Sequence, residues 1–287
     1  MGSYDRIIEL SEHFTKRSSY WEEIYTKRNA PPNFMIYELD SRMRNALHLL
    51  ENFSNNKLLK ILDVGCGTGH YIEQMLLRKH NVFGNDVAFG MLIKSKDKYS
   101  RISQNHKLSL SNIEKLPFQN SSFDAVLCIG VIEYLPDIHK ALRELNRIVK
   151  EDGIIIISAP NLLSIKFLTD PYYLKRGAEY LLHKMGLRKI NSGQITSDVS
   201  MNQDFKNRRF RFRELIDTFY NNGFKVTACK NVSFGPVSFF LKPLFSLKNN
   251  IGFSRWLENI SNKKFGSFLR IFANRWVFEL RKYRSHE

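Results

Sequence analysis

Residues 58 to 70 read LLKILDVGCGTGH, and this stretch decides the fold. The apolar run from Leu58 to Val64 has the length and composition of a buried strand. It breaks into Gly65-Cys66-Gly67-Thr68-Gly69, where glycine lets the backbone turn sharply and lets a ligand approach it closely. A helix from about His70 to Lys79 follows, its N-terminus facing whatever the loop holds. The spacing separates two classes of nucleotide fold. The dinucleotide fingerprint needs glycine at the first, third and sixth positions, and the sixth position here is His70. The chain reads G-x-G-x-G instead, with Asp63 two residues ahead of it.

Outward from this loop the grammar repeats. Asn81 to Asp86 reads as a second strand, and its final acid is placed to meet a ribose diol. A helix starts near Phe89, Lys107 to Leu110 is a weak third strand and Phe123 to Ile129 a fourth. His139 to Val149 reads as helix, Glu151-Asp152-Gly153 as a turn, and Gly153 to Ala159 as a fifth strand. Strands this apolar, alternating with helices, indicate a parallel sheet covered on both faces. Upstream, residues 4 to 29 read as one helix bearing Tyr4, Tyr20, Trp21 and Tyr25, broken at residues 29 to 33. A second helix spans 34 to 52, with Met35, Leu39, Met43, Leu47 and Leu50 on one stripe. Downstream come a segment of helical character with a polar stretch at 191 to 204, and a helix from Phe212 to Asn222 closed by Gly223. A sixth strand at Phe224 to Asn231 and a last one at Phe272 to Leu280 follow, with at most two helical pieces between 234 and 270.

The chain has 287 residues and a net charge of +16. Residues 1 to 161 hold 21 basic and 19 acidic side chains, whereas residues 162 to 287 hold 23 and 9. The charge therefore belongs to the back half, which also carries 15 of the 22 phenylalanines. An apolar content of 43% argues against global disorder. Three scattered cysteines, Cys66, Cys128 and Cys229, exclude a disulfide framework and a zinc knuckle, and no histidine has a partner at metal-ligand spacing. With no secretory leader and no apolar run of 18 residues, the expected location is the cytoplasm.

Four segments in order, ILDVGCGTG, VFGNDVAFGML, KLPFQNSSFDAVLCIGVIEYLPD and IVKEDGIIIISAPN, resemble successive motifs of the class I S-adenosylmethionine-dependent methyltransferases. The likeness covers about residues 58 to 161 and extends to the sixth and seventh strands. It implies an α/β fold: a Rossmann-like, seven-stranded, mostly parallel sheet with helices on both faces, an N-terminal helical cap and C-terminal insertions. The corresponding division is 1–55 for the cap, 56–161 for the cofactor-binding core, and 162–287 for completion of the sheet with substrate-lid insertions. The implied cofactor is S-adenosylmethionine, leaving as S-adenosylhomocysteine. Carried across residue by residue, Gly65, Gly67 and Gly69 pack under its methionine and ribose portion, and Asp63 orients the loop or meets its ammonium. Asp86, followed by Val87, takes the ribose hydroxyls. Asn112 and Ile113 border the adenine, where relatives usually carry Asp at the first position. Ile129 and Gly130 lie beside the transferable methyl.

The implied reaction is displacement of the sulfonium methyl by an acceptor nucleophile, which needs alignment and a base only where a proton must leave. Glu133 and Tyr134 are the catalytic candidates. Many relatives read Glu-His there, so that histidine's role does not transfer. Glu133 also reads as a cap for the following helix, Tyr134 as packing, and His139 as exposed. Tyr20 or Trp21 closes over the site as a lid, or packs as part of an amphipathic helix. Arg42 and Arg44 belong to a solvated helix face, or reach the cofactor carboxylate.

Residues 162 to 210 and 232 to 270 occupy the regions that set specificity in this family. The acceptor is expected to be small or lipid-linked, with O-methylation of a sugar or hydroxylated natural product as the leading reading and N-methylation next. Lysines beside apolar residues in 234–270 read as peripheral contact with the inner face of a membrane, or as a hydrophobic cap on the pocket. The run KNRRFRFR at 206 to 213 keeps RNA methylation as an alternative. A non-catalytic, cofactor-binding regulator is the third.

Overall fold

The computed structural model describes residues 3–26, 33–102, 107–173, 175 and 207–283. The polar stretch at 191 to 204, and most of the region at 162 to 210, lie outside the described residues. The chain opens with α1 (Ser3–Lys16), α2 (Ser18–Thr26) and α3 (Phe34–Ser54). It continues with β1 (Lys60–Val64), α4 (His70–Leu77), β2 (Asn81–Asp86), α5 (Phe89–Ile102), β3 (Leu108–Leu110) and β4 (Phe123–Cys128). A 3-10 turn (Ile132–Tyr134) leads to α6 (Ile138–Ile148), β5 (Val149–Pro160) and α7 (Ile165–Thr169). The back half adds α8 (Phe212–Tyr220), β6 (Phe224–Val232), the small strands β7 (Ser238–Phe239) and β8 (Lys242–Pro243), α9 (Leu247–Ser261), a 3-10 helix (Lys264–Phe272) and β9 (Arg275–Lys282).

Seven strands form one sheet in the order β3-β2-β1-β4-β5-β9-β6. The first five are parallel, and β9 runs antiparallel between β5 and β6. Going outward from β1, the chain turns one way through β2 and β3 and the other way through β4 and β5. That reversal opens a crevice at the carboxyl ends of β1 and β4, the position where open α/β sheets bind ligands. The loops following both strands, Gly65–Gly69 and Ile129–Val131, therefore meet at one edge.

The period of two along each strand divides the core into two layers. Leu62, Val126, Ile155, Ile157 and Phe278 point to α6 and α8, meeting Leu142, Leu145 and Phe219. Ile61, Ala125, Leu127, Ile154 and Ile156 point the other way, to Leu47 and Leu50 of α3 and Ile72 and Met75 of α4. This double burial explains why β4 and β5 are apolar at nearly every position.

Three expectations need correction. The single helix at 4 to 29 is two helices that bend at Arg17. The bend lays α1 on the start of α5, where a side chain at Gly90 would lie 2.8 Å from the Thr15 carbonyl, and lets α2 set Tyr25 on His70. The turn at 151 to 153 is an irregularity inside β5, because Val149 already pairs with Phe123 before the register shifts to Ile154 opposite Ala125. The last strand begins at Arg275, since Phe272 closes the preceding 3-10 helix and Asn274 is spent on the Ser233 and Asn161 backbones. No helix among the described residues is long and apolar enough to cross a membrane.

Ile156 is fully buried in the α3–α4 layer. Ile156→Ala is expected to lower unfolding free energy by roughly 2–5 kcal/mol, read from the urea midpoint. A loss below about 1 kcal/mol would contradict this packing.

Candidate active site

The crevice deepens into a cavity of about 580 Å³, within the range of small-molecule sites. Its floor at one end is the glycine loop. Gly65, Gly67 and Gly69 hold φ of +66°, +54° and +83°, backbone that only glycine adopts without cost. The reasons differ by position. A methyl at Gly65 would stand 2.3 Å from Val131 Cγ2, so β1 and the loop after β4 touch there. A methyl at Gly67 would meet nothing within 4 Å and would project into open space. Asp86, at the end of β2, fixes the loop from beside it: its Oδ2 accepts from the Gly67 amide at 2.8 Å and its Oδ1 from the Ala88 amide at 2.8 Å.

Asp63 lines the same end. It is buried, and its Oδ2 has no hydrogen-bond partner. Burial pushes its carboxyl well above the usual range, and the Asp86 charge pushes the same way. Asp86 is also raised by burial, partly offset by the amides it accepts from. A cationic group in the cavity would relieve both. Asn112 and Ile113 stand on the adjoining wall with Val87. The Asn112 oxygen already accepts from the Glu114 amide at 3.1 Å. Its amide N–H is then the atom left to face a base edge. Ile129 lines the cavity behind Gly130. All nine sequence-predicted cofactor residues except Gly69 line this one cavity, and Gly69 instead turns the chain into α4, against Ser95.

Arg42 departs from its predicted place on a solvated face. It is 6% exposed, its Nη2 donates to the Tyr25 hydroxyl at 3.1 Å, and its buried Nε has no partner. The room comes from Gly130, where any Cβ would lie 2.9 Å from the Arg42 Nη1. Arg44 faces outward. An unpaired carboxylate oxygen and an unpaired guanidinium nitrogen in one cavity, over a glycine cradle, fit a zwitterionic amino acid joined to a nucleoside. S-Adenosylmethionine has that chemistry.

The far end is a chain of buried and partly buried charges, of which the sequence marked Glu133 alone. Arg275 Nε donates to Glu38 Oε1 at 2.9 Å, and its Nη1 to Glu133 Oε1 at 2.7 Å. Glu133 is thereby an anchor for β9 as well as a cavity wall; the cap of α6 is Asp137. Burial alone would lift the Glu38 carboxyl, but Arg275, Asn274 and Ser233 outweigh it and hold it low. Tyr134 is pushed up to about 12, first by burial and then by Glu133, so it keeps its proton at neutral pH. Lys166, on α7, lines this end and makes no ion pair with any described residue. Burial lowers its pKa, Glu38 counters, and Arg209 adds to the lowering. Beyond Glu133 and Tyr134, the sequence signal for this end was Glu38 and Arg42, four residues apart beside an apolar helical stripe.

The N-terminal helices roof the cavity with Ile7, Leu10, Phe14, Trp21 and Tyr25. Trp21 is the lid candidate that reaches it; Tyr20 does not line it. Tyr25 stacks on His70 at 4.4 Å, and Glu22 pairs with Lys98 at 2.9 Å, which latches α2 to α4 and α5. His139 is exposed on α6, 2.9 Å from Asn222, and away from the cavity. In the basic run, Phe210 and Phe212 pack inward while Arg208, Arg211 and Arg213 face out, so the rings are used by the core and not offered to bases. No cluster of metal-ligating side chains occurs among the described residues.

Gly65→Ala is expected to cost about 1–2 kcal/mol for the left-handed backbone and about 1–3 kcal/mol for overpacking, and to abolish donor binding in calorimetry. Adding Val131→Ala should recover only the packing part; full recovery would disprove the backbone argument. Asp63 supplies a pH test. Its folded-state pKa is raised, so the folded protein keeps a proton that the unfolded chain has released, and stability falls as pH rises from the ordinary carboxyl range upward. Asp63→Asn should flatten that slope in pH-resolved denaturation.

Comparison with known proteins agrees with this geometry. Residues 62–157 match the family model described as a methyltransferase domain. An uncharacterized protein of Methanocaldococcus jannaschii is 33% identical over 193 residues, 66% of this chain and 71% of that protein. A sterol 4-C-methyltransferase of Caenorhabditis elegans is 24% identical over 54% of this chain, which spans about half of that relative's length (50%). The 1,6-didemethyltoxoflavin-N1-methyltransferase of Burkholderia thailandensis, solved with S-adenosylhomocysteine bound, shares the fold at a TM-score of 0.60 and 14% identity, covering 99% of this chain and 92% of that one. Glycine loop, acidic strand end, strand order and family match converge, and the chain belongs to the class I S-adenosylmethionine-dependent methyltransferases.

Proposed function

We propose that this protein O-methylates a small or lipid-linked hydroxylated metabolite. The observation that carries the reading is that one cavity is lined both by the glycine loop and by Glu38, Arg275, Glu133, Tyr134 and Lys166, under an apolar roof. When bound, S-adenosylmethionine supplies a methyl already activated by the sulfonium charge. Asp63, Gly65, Gly67, Asp86, Asn112, Ile113 and Arg42 would hold it. What the chain adds is alignment and removal of the acceptor proton.

The proton needs a base, and the cavity narrows the choice. Glu38 has both oxygens bound and Tyr134 stays protonated, whereas Glu133 binds Arg275 through Oε1 and keeps Oε2 unpaired, so Glu133 and Lys166 are the candidates. Lys166 is the group whose neutral form burial favours. In this reading the Lys166 amine would take the proton of the acceptor hydroxyl, and Arg275 would steady the charge left on that oxygen. A hydroxyl that ionises readily, as in a phenol or enol, suits this site better than a sugar alcohol. Phe14, Phe34, Met35 and Leu39 would cover an apolar body.

The test is methyl transfer from labelled S-adenosylmethionine to a panel of phenols, quinols, glycosides and RNA. Incorporation into phenols or quinols is the expected result, and incorporation into RNA alone would overturn it. On an accepted substrate, Lys166→Met should lower kcat about 10²–10⁴-fold with donor affinity unchanged. Because the base works only when deprotonated, wild-type kcat should rise with pH through the lowered Lys166 pKa, and the variant should lose that limb.

A further inference from the structure

The hairpin of β7 and β8 ends in a tip that the core does not explain. Its two central residues, Phe240 and Leu241, hold φ of +46° and +65°. Such left-handed pairs favour Asn-Gly and strain bulky side chains. Yet the two side chains remain 52% and 43% exposed, so the strain does not place them in the core. The tip is also firmly held. Asp170, fully buried, accepts from the Leu241 amide at 2.9 Å and from Ser238 Oγ at 2.5 Å. Asn250 of α9 donates to the Phe245 carbonyl at 2.8 Å and accepts from the Val237 amide at 3.2 Å. A rigid mount holding strained apolar side chains out in water is a built feature that requires an occupant.

The surroundings identify it. Leu244 and Phe245 beside the tip are exposed, as are Phe253 and Trp256 on α9, and Phe265 beyond it is 94% exposed. Residues 234 to 270 carry six Lys or Arg and one acid, Glu258. Glu258 is buried and accepts from the Tyr37 and Ser41 hydroxyls and the Ser233 amide, so the charge this surface shows is positive. A second copy would bring like charge against like. Nucleic acid would stack on Phe240 but would leave the exposed aliphatic side chains of Leu241 and Leu244 without a partner. An anionic bilayer meets both features, taking the apolar tip among its acyl chains and the cations at its headgroups.

We propose that the Phe240-Leu241 tip and the exposed face of α9 dock this protein on an anionic lipid surface. Gly235 and Pro236, which lead into the hairpin, line the acceptor end of the cavity, as does Lys166 on the adjoining α7. Docking therefore sets that end beside the lipid. The inference concerns binding alone and does not depend on the methyl-transfer reading.

The test is flotation of the full chain with vesicles of phosphatidylcholine, with and without phosphatidylserine, at low and high salt. Wild type should float with the anionic vesicles at low salt and stay behind with pure phosphatidylcholine. Phe240→Asn combined with Leu241→Gly should cut the floated fraction at least tenfold while the melting temperature holds or rises, because Asn-Gly suits the turn. Phe265→Ser, at a position without packing, should weaken flotation independently. Absence of wild-type flotation, undiminished flotation of the Asn-Gly variant, or salt-dependent binding of single-stranded RNA in place of vesicles would each overturn the proposal.

Discussion

Arg275 donates to two carboxylates at once, at 2.9 Å to Glu38 and 2.7 Å to Glu133. One carboxylate comes from the helix ahead of the sheet, the other from the turn after the fourth strand, and the guanidinium from the last strand. Glu133 is buried and Glu38 and Arg275 are partly so, and charges withdrawn from water this far are stable only while each is paired. The shape of the acceptor end therefore depends on three distant parts of the chain arriving together. Ser233 and Asn274 complete the arrangement by donating to the second oxygen of Glu38.

The two ends of the cavity were unequally legible in the sequence. Gly65 to Gly69, Asp63 and Asp86 could be read because the donor end is made by consecutive residues and by one neighbouring strand, so its chemistry is compressed into a local pattern. Glu38, Lys166 and Arg275 could not, because they stand more than a hundred residues apart and only the sheet order β4-β5-β9 brings their elements together. Arg42 was misread for a related reason. An arginine beside an apolar stripe looks like the edge of a surface helix, and what buries it is the missing side chain of Gly130, eighty-eight positions downstream. The strand β4 was legible nearly to the residue, because burial on both faces leaves little but apolar side chains. The hairpin of β7 and β8 was not, because Phe240-Leu241 carries none of the usual turn residues.

The uneven charge of the chain now divides into two populations. Some cations of the back half work inside: Arg275 is locked between carboxylates, and Lys166 is partly buried beside Glu38. Others, such as Lys242 and Lys248, stand outside around the exposed aromatic side chains. In the front half the acids Asp63 and Asp86 are buried beside the glycine loop, where withdrawal from water raises both pKa values. Net charge by itself distinguished none of these roles.

The place of β9 in the sheet has a consequence for synthesis. Ribosomes deliver β6 before β9, yet β6 touches the sheet only through β9. The sixth strand must wait unpaired as a nascent edge until about forty further residues emerge, while β1 to β5 have already closed the donor end. Arg275 opens that final strand. A growing chain thus completes the glycine loop and its flanking strands before the strand that carries Arg275, so the two ends of the cavity are assembled in that order.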